Sequence, residues 1–213
     1  VDEIADLLVK AQDEALVVTN NMLEAVGAAV DYDFKKASII LENAFGQIIS
    51  KVLEFHPWIK LYTDIEKLKR LNYSQYQSWD DLSKHIHNEC GKFFDFLKKF
   101  VIWKDFDNFI KNVCLQVLNN IENHISVKTV SENLFISKAY LSERFKKLTG
   151  ISLSDYINMV KMERAKYLLT ATSMKSYEIA DLLGYKDQEY FSKVFKKYSG
   201  LSPTTFRKVN TSI

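Results

Sequence analysis

Two lysine pairs in this 213-residue chain, Lys146-Lys147 and Lys196-Lys197, each follow directly on a phenylalanine. The first pair lies in Tyr140-Leu141-Ser142-Glu143-Arg144-Phe145-Lys146-Lys147-Leu148-Thr149-Gly150-Ile151-Ser152. The second lies in Tyr190-Phe191-Ser192-Lys193-Val194-Phe195-Lys196-Lys197-Tyr198-Ser199-Gly200-Leu201-Ser202, at a constant offset of 50. Tyr, Ser, Phe-Lys-Lys, Gly and Ser recur, which marks one supersecondary unit used twice. Lysines recurring beside Ser, Gln and Glu can neutralise the oxygens of a polyanion while the neutral side chains hydrogen-bond its other groups. Catalytic chemistry has no comparable candidate. No nucleophile stands with a base, and there is neither a glycine-rich phosphate loop nor a metal-ligand cluster. His85 and His87, two apart, face different sides of a helix, and His56 and His124 are isolated. Asp80 and Asp81 suit a helix N-terminus better than acid-base work. The expectation is a protein without catalytic residues, metal or cofactor.

The elements that would position these lysines are helical. In the later copy Ser176 can cap a helix carrying Ile179, Ala180 and Leu183, which Gly184 stops. Asp187 can cap the next helix, with Phe191, Val194, Phe195 and Tyr198 on its apolar side, ended by Gly200. In the earlier copy Ser126 precedes Val130 and Leu134; Ser137 then caps a helix with Leu141, Phe145 and Leu148, ended by Gly150. Two short helices joined by a tight turn, the second lysine-rich outside, form the helix-turn-helix pattern. The plain alternative is a helical hairpin repeat whose lysines serve only solubility. Leu153 to Thr170 reads as one long helix between the copies, with Tyr156, Ile157, Val160, Ala165, Leu168 and Leu169 making apolar contacts toward both.

Residues 121–208 closely resemble the C-terminal DNA-binding domain of the AraC/XylS family of transcription regulators. The resemblance rests on the first repeat, on Tyr156-Ile157 and Glu163-Arg164-Ala165-Lys166-Tyr167-Leu168-Leu169, and on a final run. That run is Glu178-Ile179-Ala180, Gly184-Tyr185, Tyr190-Phe191, Phe195-Lys196-Lys197, Gly200-Leu201-Ser202-Pro203 and Phe206-Arg207. Lys175-Ser176-Tyr177-Glu178-Ile179-Ala180 and Gly184-Tyr185-Lys186-Asp187 are similar to the YesN-like response-regulator branch. The resemblance implies a regulator, an activator, that binds double-stranded DNA and works with RNA polymerase. It puts base-facing roles on Ala139, Ser142 and Glu143 of a first recognition helix near Lys138 to Leu148. Ala139 and Glu143 depart from the large polar residues frequent at such positions; Ala139 could touch a thymine methyl and Glu143 could accept from cytosine N4, or pair with Lys147 instead. On the second recognition helix the candidates are Gln188, Glu189, Tyr190, Ser192 and Lys193, with Lys193 suited to guanine O6/N7. Lys138 is a further outward residue, and Lys146, Lys147, Lys196, Lys197 and Arg207 suit phosphates. The helix N-termini at Ser137 and Ser202-Pro203 can also offer backbone N–H groups to phosphate.

The first half supplies the rest of an all-α chain. Hydrophobic content is 47%, with only 6 Gly and 2 Pro, and alternating strand patterns are few. Residues 1–105 carry 13 Lys+Arg against 17 Asp+Glu, and residues 106–213 carry 16 against 10. The basic half is the one with the repeat. Ile4, Leu7, Leu8, Ala11, Ala15, Val18, Met22 and Val26 keep helical spacing from Val1 to Val30. Asp33 can cap a helix bearing Phe34, Ala37, Ile40, Leu41, Ala44, Ile48, Ile49 and Val52, which Pro57 stops. Ile59 to Leu71 predicts a further helix with Ile65 and Leu68 inward, and Asn72 to Gln77 a loop. Ser78 can cap a helix through Leu82, Ile86, Cys90, Phe93, Phe94 and Leu97, and Asp105 one from Phe106 to Glu122.

The architecture expected is a helical bundle over 1–105, for dimerisation or signal transmission, then a tandem helix-turn-helix domain over 106–213. Asp31 to about Phe100 resembles, more weakly, the helical region linking receiver and DNA-binding parts of YesN-like regulators. The chain has no alternating strand-helix pattern with an acidic cluster, so a receiver or sensor domain would lie upstream of Val1. Phe93, Phe94, Phe96, Phe100, Trp103, Phe106 and Phe109 could line an effector pocket, although their spacing fits a core. A ligand-gated regulator and a protein-interaction module are the competing readings. Cys90 and Cys114 lack metal or CxxC spacing, and no apolar run reaches membrane-spanning length. A homodimer through the N-terminal helices and a cytoplasmic location are expected.

Overall fold

A computed structural model describes residues 1–66, 76–102 and 108–211. Among these residues the chain is helical throughout, with no strand, and no helix is long and apolar enough to cross a membrane. The chain forms two compact units, one from Val1–Lys60 and Asp64–Lys104, the other from Leu61–Thr63 and Asp105–Ile213.

The first unit contains α1 (Asp2–Val9), α2 (Glu14–Ala29), α3 (Phe34–Phe55), a 3-10 turn (Pro57–Leu61) that crosses the unit boundary at its last residue, and α4 (Trp79–Phe100). The unbroken apolar spacing from Val1 to Val30 is carried by two helices. The chain turns between them at Ala11, φ +48°. Both helices face one core, so Ile4, Leu8, Ala11, Ala15 and Leu23 keep a helical rhythm across the break, and a methyl side chain lets the turn itself be buried. Asp33 caps α3 by accepting from the backbone N–H groups of Lys35 and Lys36. Ala37, Leu41, Ile48, Ile49 and Val52 are its buried face; Ile40, expected inward, lies at the surface beside Ile39. Instead of the single helix expected over Ile59 to Leu71, a 3-10 turn that buries Trp58 and Ile59 ends at Leu61, residues 62–64 are not helical and Ile65 is only half-buried; residues 67–75 lie outside the described residues. Ser78 caps α4 at the N–H of Asp81. Leu23, Ala37, Leu41, Tyr76, Leu82 and Ile86 form one cluster, and Trp58 packs on Phe96 and Phe100. His56 is structural: its Nε2 lies 2.8 Å from the Val9 carbonyl. His85 meets the Tyr76 ring while His87 meets Asn20, so the two histidines do diverge. The cap expected at Asp105, and the positions Leu68, Trp103 and Phe106, lie outside the described residues.

The second unit holds α5 (Asn108–Asn119), α6 (Val127–Asn133), α7 (Lys138–Thr149), α8 (Leu153–Ala171), α9 (Ser176–Leu182), α10 (Gln188–Ser199) and α11 (Pro203–Thr211). The sequence repeat is a structural repeat. Ser137 caps α7 and Asp187 caps α10. Both helices end on a left-handed glycine, Gly150 (φ +77°) and Gly200 (φ +80°). Thr149 and Ser199 each hydrogen-bond back to the phenylalanine four residues earlier and forward to the carbonyl two residues on. Leu141 to Ser152 and Phe191 to Ser202 share one burial pattern, residue by residue. One cap differs from expectation. Ser176 is the first residue of α9, and the cap position is Lys175, whose backbone N–H donates to the Glu178 carboxylate. The two helix-turn-helix pairs, α6–α7 and α9–α10, pack on α8, and α11 closes over α8 and α10.

The glycines give a graded test. Gly150 and Gly200 have open space where a Cβ would stand, whereas a Cβ on Gly184 (φ +79°) would lie 3.0 Å from His124 Nδ1 and 3.2 Å from its Cα. Gly150→Ala and Gly200→Ala should each lower unfolding free energy in urea by about 1 kcal/mol through backbone strain. Gly184→Ala should lose about 2–3 kcal/mol, since strain and overlap add. Equal losses at all three would remove the packing role of Gly184.

Candidate nucleic-acid interface

Each lysine-rich helix buries one narrow face. Leu141 and Phe145 on α7, and Phe191 and Phe195 on α10, are fully covered, so residues between them are turned outward at helical spacing. On α7 this exposes Lys138, Ala139, Tyr140, Glu143, Lys146 and Lys147, with Ser142 half-buried; on α10 it exposes Gln188, Glu189, Tyr190, Lys193, Lys196 and Lys197, with Ser192 half-buried. Lys138, Lys146, Lys147, Lys193, Lys196 and Lys197 make no ion pair among the described residues. Elsewhere lysines do pair with carboxylates, Lys36, Lys51, Lys84, Lys92 and Lys98 in the first unit and Lys128 and Lys166 in the second. Glu143 does not pair with Lys147 either, which leaves its carboxylate on the open face. A net excess of unpaired positive charge on two equivalent helices is what a phosphate-binding surface requires.

Arg207 departs from the phosphate role expected for it. It is half-buried; its Nε donates to the Leu169 carbonyl at 2.8 Å and its Nη2 donates to the Met174 carbonyl. These bonds satisfy backbone oxygens at the end of α8 and fasten α11 there. Tyr190 is 59% exposed, with its ring centre 6.2 Å from that of Tyr185. Sequence reasoning missed Arg144, whose guanidinium lies 4.2 Å from the Phe109 ring centre and donates to the Tyr140 hydroxyl at 2.6 Å. The Tyr140–Arg144 spacing of four was a readable signal; the approach of Phe109 was not. Phe135, in the turn before α7, was also missed. Its φ is +55° and 95% of its surface is exposed, a conformation that costs a bulky residue about 1–3 kcal/mol.

The two lysine-rich helices are braced through α8. At about 1.5 Å per residue this helix is a rod roughly 28 Å long. Tyr156, Ile157, Val160, Ala165, Leu168 and Leu169 are all buried, as expected. Charged residues are buried with them. Arg164, 8% exposed, pairs with Glu122 at 2.5 Å, donates to the Leu61 carbonyl and stands over the Tyr167 ring. Glu163 accepts from the Tyr198 hydroxyl at 2.7 Å and from Lys166 at 3.2 Å, which ties α10 to the rod. Burial, with the Glu163 carboxylate adding, holds the Tyr198 phenol protonated well above its usual range. Burial alone pushes the Lys161 amine down; it lies 5.2 Å from the Tyr185 ring centre.

Residues 130–209 match a protein family described as a helix-turn-helix domain. The Msm operon regulatory protein of Streptococcus mutans is 39% identical over 84 residues, covering 39% of this chain and 30% of that protein. The arabinose operon regulatory protein of Salmonella typhimurium is 31% identical over 102 residues, 47% of this chain and 36% of that protein. This chain thus spans about a third of the length of the curated relatives it matches. Among solved structures, the C-terminal domain of the two-component response regulator yesN from Fusobacterium nucleatum is 36% identical. That match covers 47% of this chain and 99% of that one, with a TM-score of 0.45.

The bracing contacts predict an order of losses in urea denaturation of the full chain. Arg164→Met leaves the Glu122 carboxylate without its partner and should cost about 3 kcal/mol. Tyr198→Phe removes one hydrogen bond to a charged group and should cost about 1.5 kcal/mol. The reverse order would make Tyr198, and not the Arg164 pair, the main brace.

Proposed function

We propose that this chain, whose residues 130–209 match the helix-turn-helix family and which resembles AraC-type regulators, is a sequence-specific DNA-binding transcription regulator acting as an activator. The observation that carries this reading is the set of six exposed lysines that make no ion pair among the described residues: Lys146-Lys147 and Lys196-Lys197 at equivalent positions of α7 and α10, with Lys138 added on α7 and Lys193 on α10. The two helices enter successive major-groove segments of one duplex, which lie ~34 Å apart on one face of B-DNA. Where the spacing between the two reading helices falls short of that repeat, DNA bends toward the protein at about 1–6 kcal/mol. Lys138, Lys146, Lys147, Lys196 and Lys197 neutralise phosphates. Ala139, Ser142 and Glu143 on α7, and Gln188, Glu189, Ser192 and Lys193 on α10, meet base edges. Residues 106–213 are the DNA-reading part in this account, and residues 1–105 are the dimerisation and signal-transmission part. A receiver or sensor domain supplies the input, RNA polymerase receives the output, and the protein works in the cytoplasm.

A second reading, a ligand-gated regulator, is favoured by one feature of the first unit. An apolar cavity of about 70 Å³ lies among Ile4, Leu8, Leu16, Ile48, Ile86 and Phe93, room for a small apolar group. A small apolar ligand that raises the melting temperature in proportion to the logarithm of its concentration would favour it.

Titration of the full chain with random-sequence duplex at low salt tests the main reading, and absence of association at micromolar protein would point to an interaction module instead. On a selected duplex, Lys193→Ala should cost about 1–3 kcal/mol and relax one base position. Lys196→Ala should weaken every duplex alike and make the salt dependence shallower. A uniform loss for Lys193→Ala would assign that residue to phosphate, and an unchanged slope for Lys196→Ala would remove it from phosphate.

A further inference from the structure

Phe135 combines two features that are each unfavourable alone: φ of +55° in the turn between α6 and α7, and 95% exposure of an apolar ring. A bulky L-residue rarely adopts the left-handed region, and a hydrated phenyl group gains nothing from folding. The second copy shows that the turn does not need it. There Gly184 (φ +79°) holds the matching position. The same backbone bond follows in both, from Ile136 N to Ser131 O at 3.1 Å and from Tyr185 N to Ala180 O at 2.9 Å. The other non-glycine residues at positive φ have a local reason: Ala11 is buried, Tyr32 meets Trp79 edge-on, His124 lies against Gly184, and Asp31, though exposed, is of a type that tolerates the left-handed region. Nothing comparable covers the ring of Phe135. A strained residue that the fold does not use is a pointer to function.

Its position suggests which function. Phe135 stands two residues before Ser137, whose hydroxyl caps α7 at the N–H of Tyr140, so the ring flanks the end of α7 that leads into a groove. Near that end α7 offers Ala139 and Glu143, where α10 offers Glu189 and Lys193. The first reading helix therefore has no cation at the position of Lys193, and an apolar contact beside Ala139 adds to the polar readout proposed for Ser142 and Glu143. Resting on the DNA-binding function proposed above, we infer that Phe135 contacts the C5-methyl group of a thymine at the edge of the site read by α7. A thymine methyl is the base-edge group that a phenyl ring can recognise in the major groove.

The test uses the full chain and a duplex selected by it from a random pool. Phe135→Asn keeps a residue that tolerates the left-handed turn, so its melting temperature should not fall. Its affinity should drop about 5-fold, with the salt slope unchanged, because no phosphate charge is involved. Phe135→Tyr, which keeps the ring, should bind as the parent does. Replacing one thymine of the α7 half-site by deoxyuridine should weaken the parent by a similar factor and leave Phe135→Asn indifferent. Parent-like affinity of Phe135→Asn overturns the inference, as does a lower melting temperature or equal sensitivity to deoxyuridine in both proteins. So does a loss of transcription activation without loss of DNA binding, which would make the ring a protein contact. If the parent itself fails to hold any duplex, the DNA-binding proposal falls first.

Discussion

Burial of α8 on nearly every side is the constraint on which the second unit depends. An ordinary surface helix covers one apolar stripe. This one carries apolar side chains all round and has a run from Val160 to Ala165 in which every residue is buried. It can do so because α5 and α7 pack on it from the first copy and α9, α10 and α11 from the second. A rod held in a close-packed interior yields little, so the spacing between the two lysine-rich helices is fixed by packing and not by the length of a loop. Of the charged groups buried along it, Arg164 is matched by Glu122 and Glu163 by Lys166 and Tyr198, while Lys161 faces the Tyr185 ring.

Around that rod the two helix-turn-helix copies are equal in construction and unequal in chemistry. Caps, left-handed glycines, side-chain-to-backbone bonds and burial repeat from one to the other, because backbone satisfaction and core filling pose the same problem twice. The exposed positions are freed from that problem and diverge. Glu143 answers to Lys193, Ala139 to Glu189 and Phe135 to Gly184. Copies so divided hold equivalent frames to a ligand and present different groups to it.

The first unit differs electrostatically. Lys51 bridges Asp2 and Asp6, and Lys98 reaches Asp13, so these two cations serve to tie its own helices together. Exposed pairs of this sort are worth only about 0–1 kcal/mol each, and the unit's cohesion comes from its buried apolar faces. Its consequence for function is negative: basic groups that are paired with neighbouring carboxylates present less net field to an anion.

By itself the sequence determined the helical class, the repeat, the caps at Asp33, Ser78, Ser137 and Asp187, the inward face of α8, and the buried pairs Leu141–Phe145 of α7 and Phe191–Phe195 of α10, although Leu148 and Tyr198, expected on the same faces, are exposed. Those features follow from interactions spanning a few residues, which leave a signature in local spacing. Only the tertiary structure decided the rest. The apolar rhythm from Ile4 to Val26 hid a break at Ala11, since two helices facing one core keep the rhythm of one. Ile40 matched the pattern and still lies outside. Arg207, cationic and near the second copy, has its donors on the carbonyls of Leu169 and Met174, and Arg144 rests on Phe109, thirty-five positions earlier. In each case the deciding partner is distant along the chain, and periodicity carries no record of distant partners.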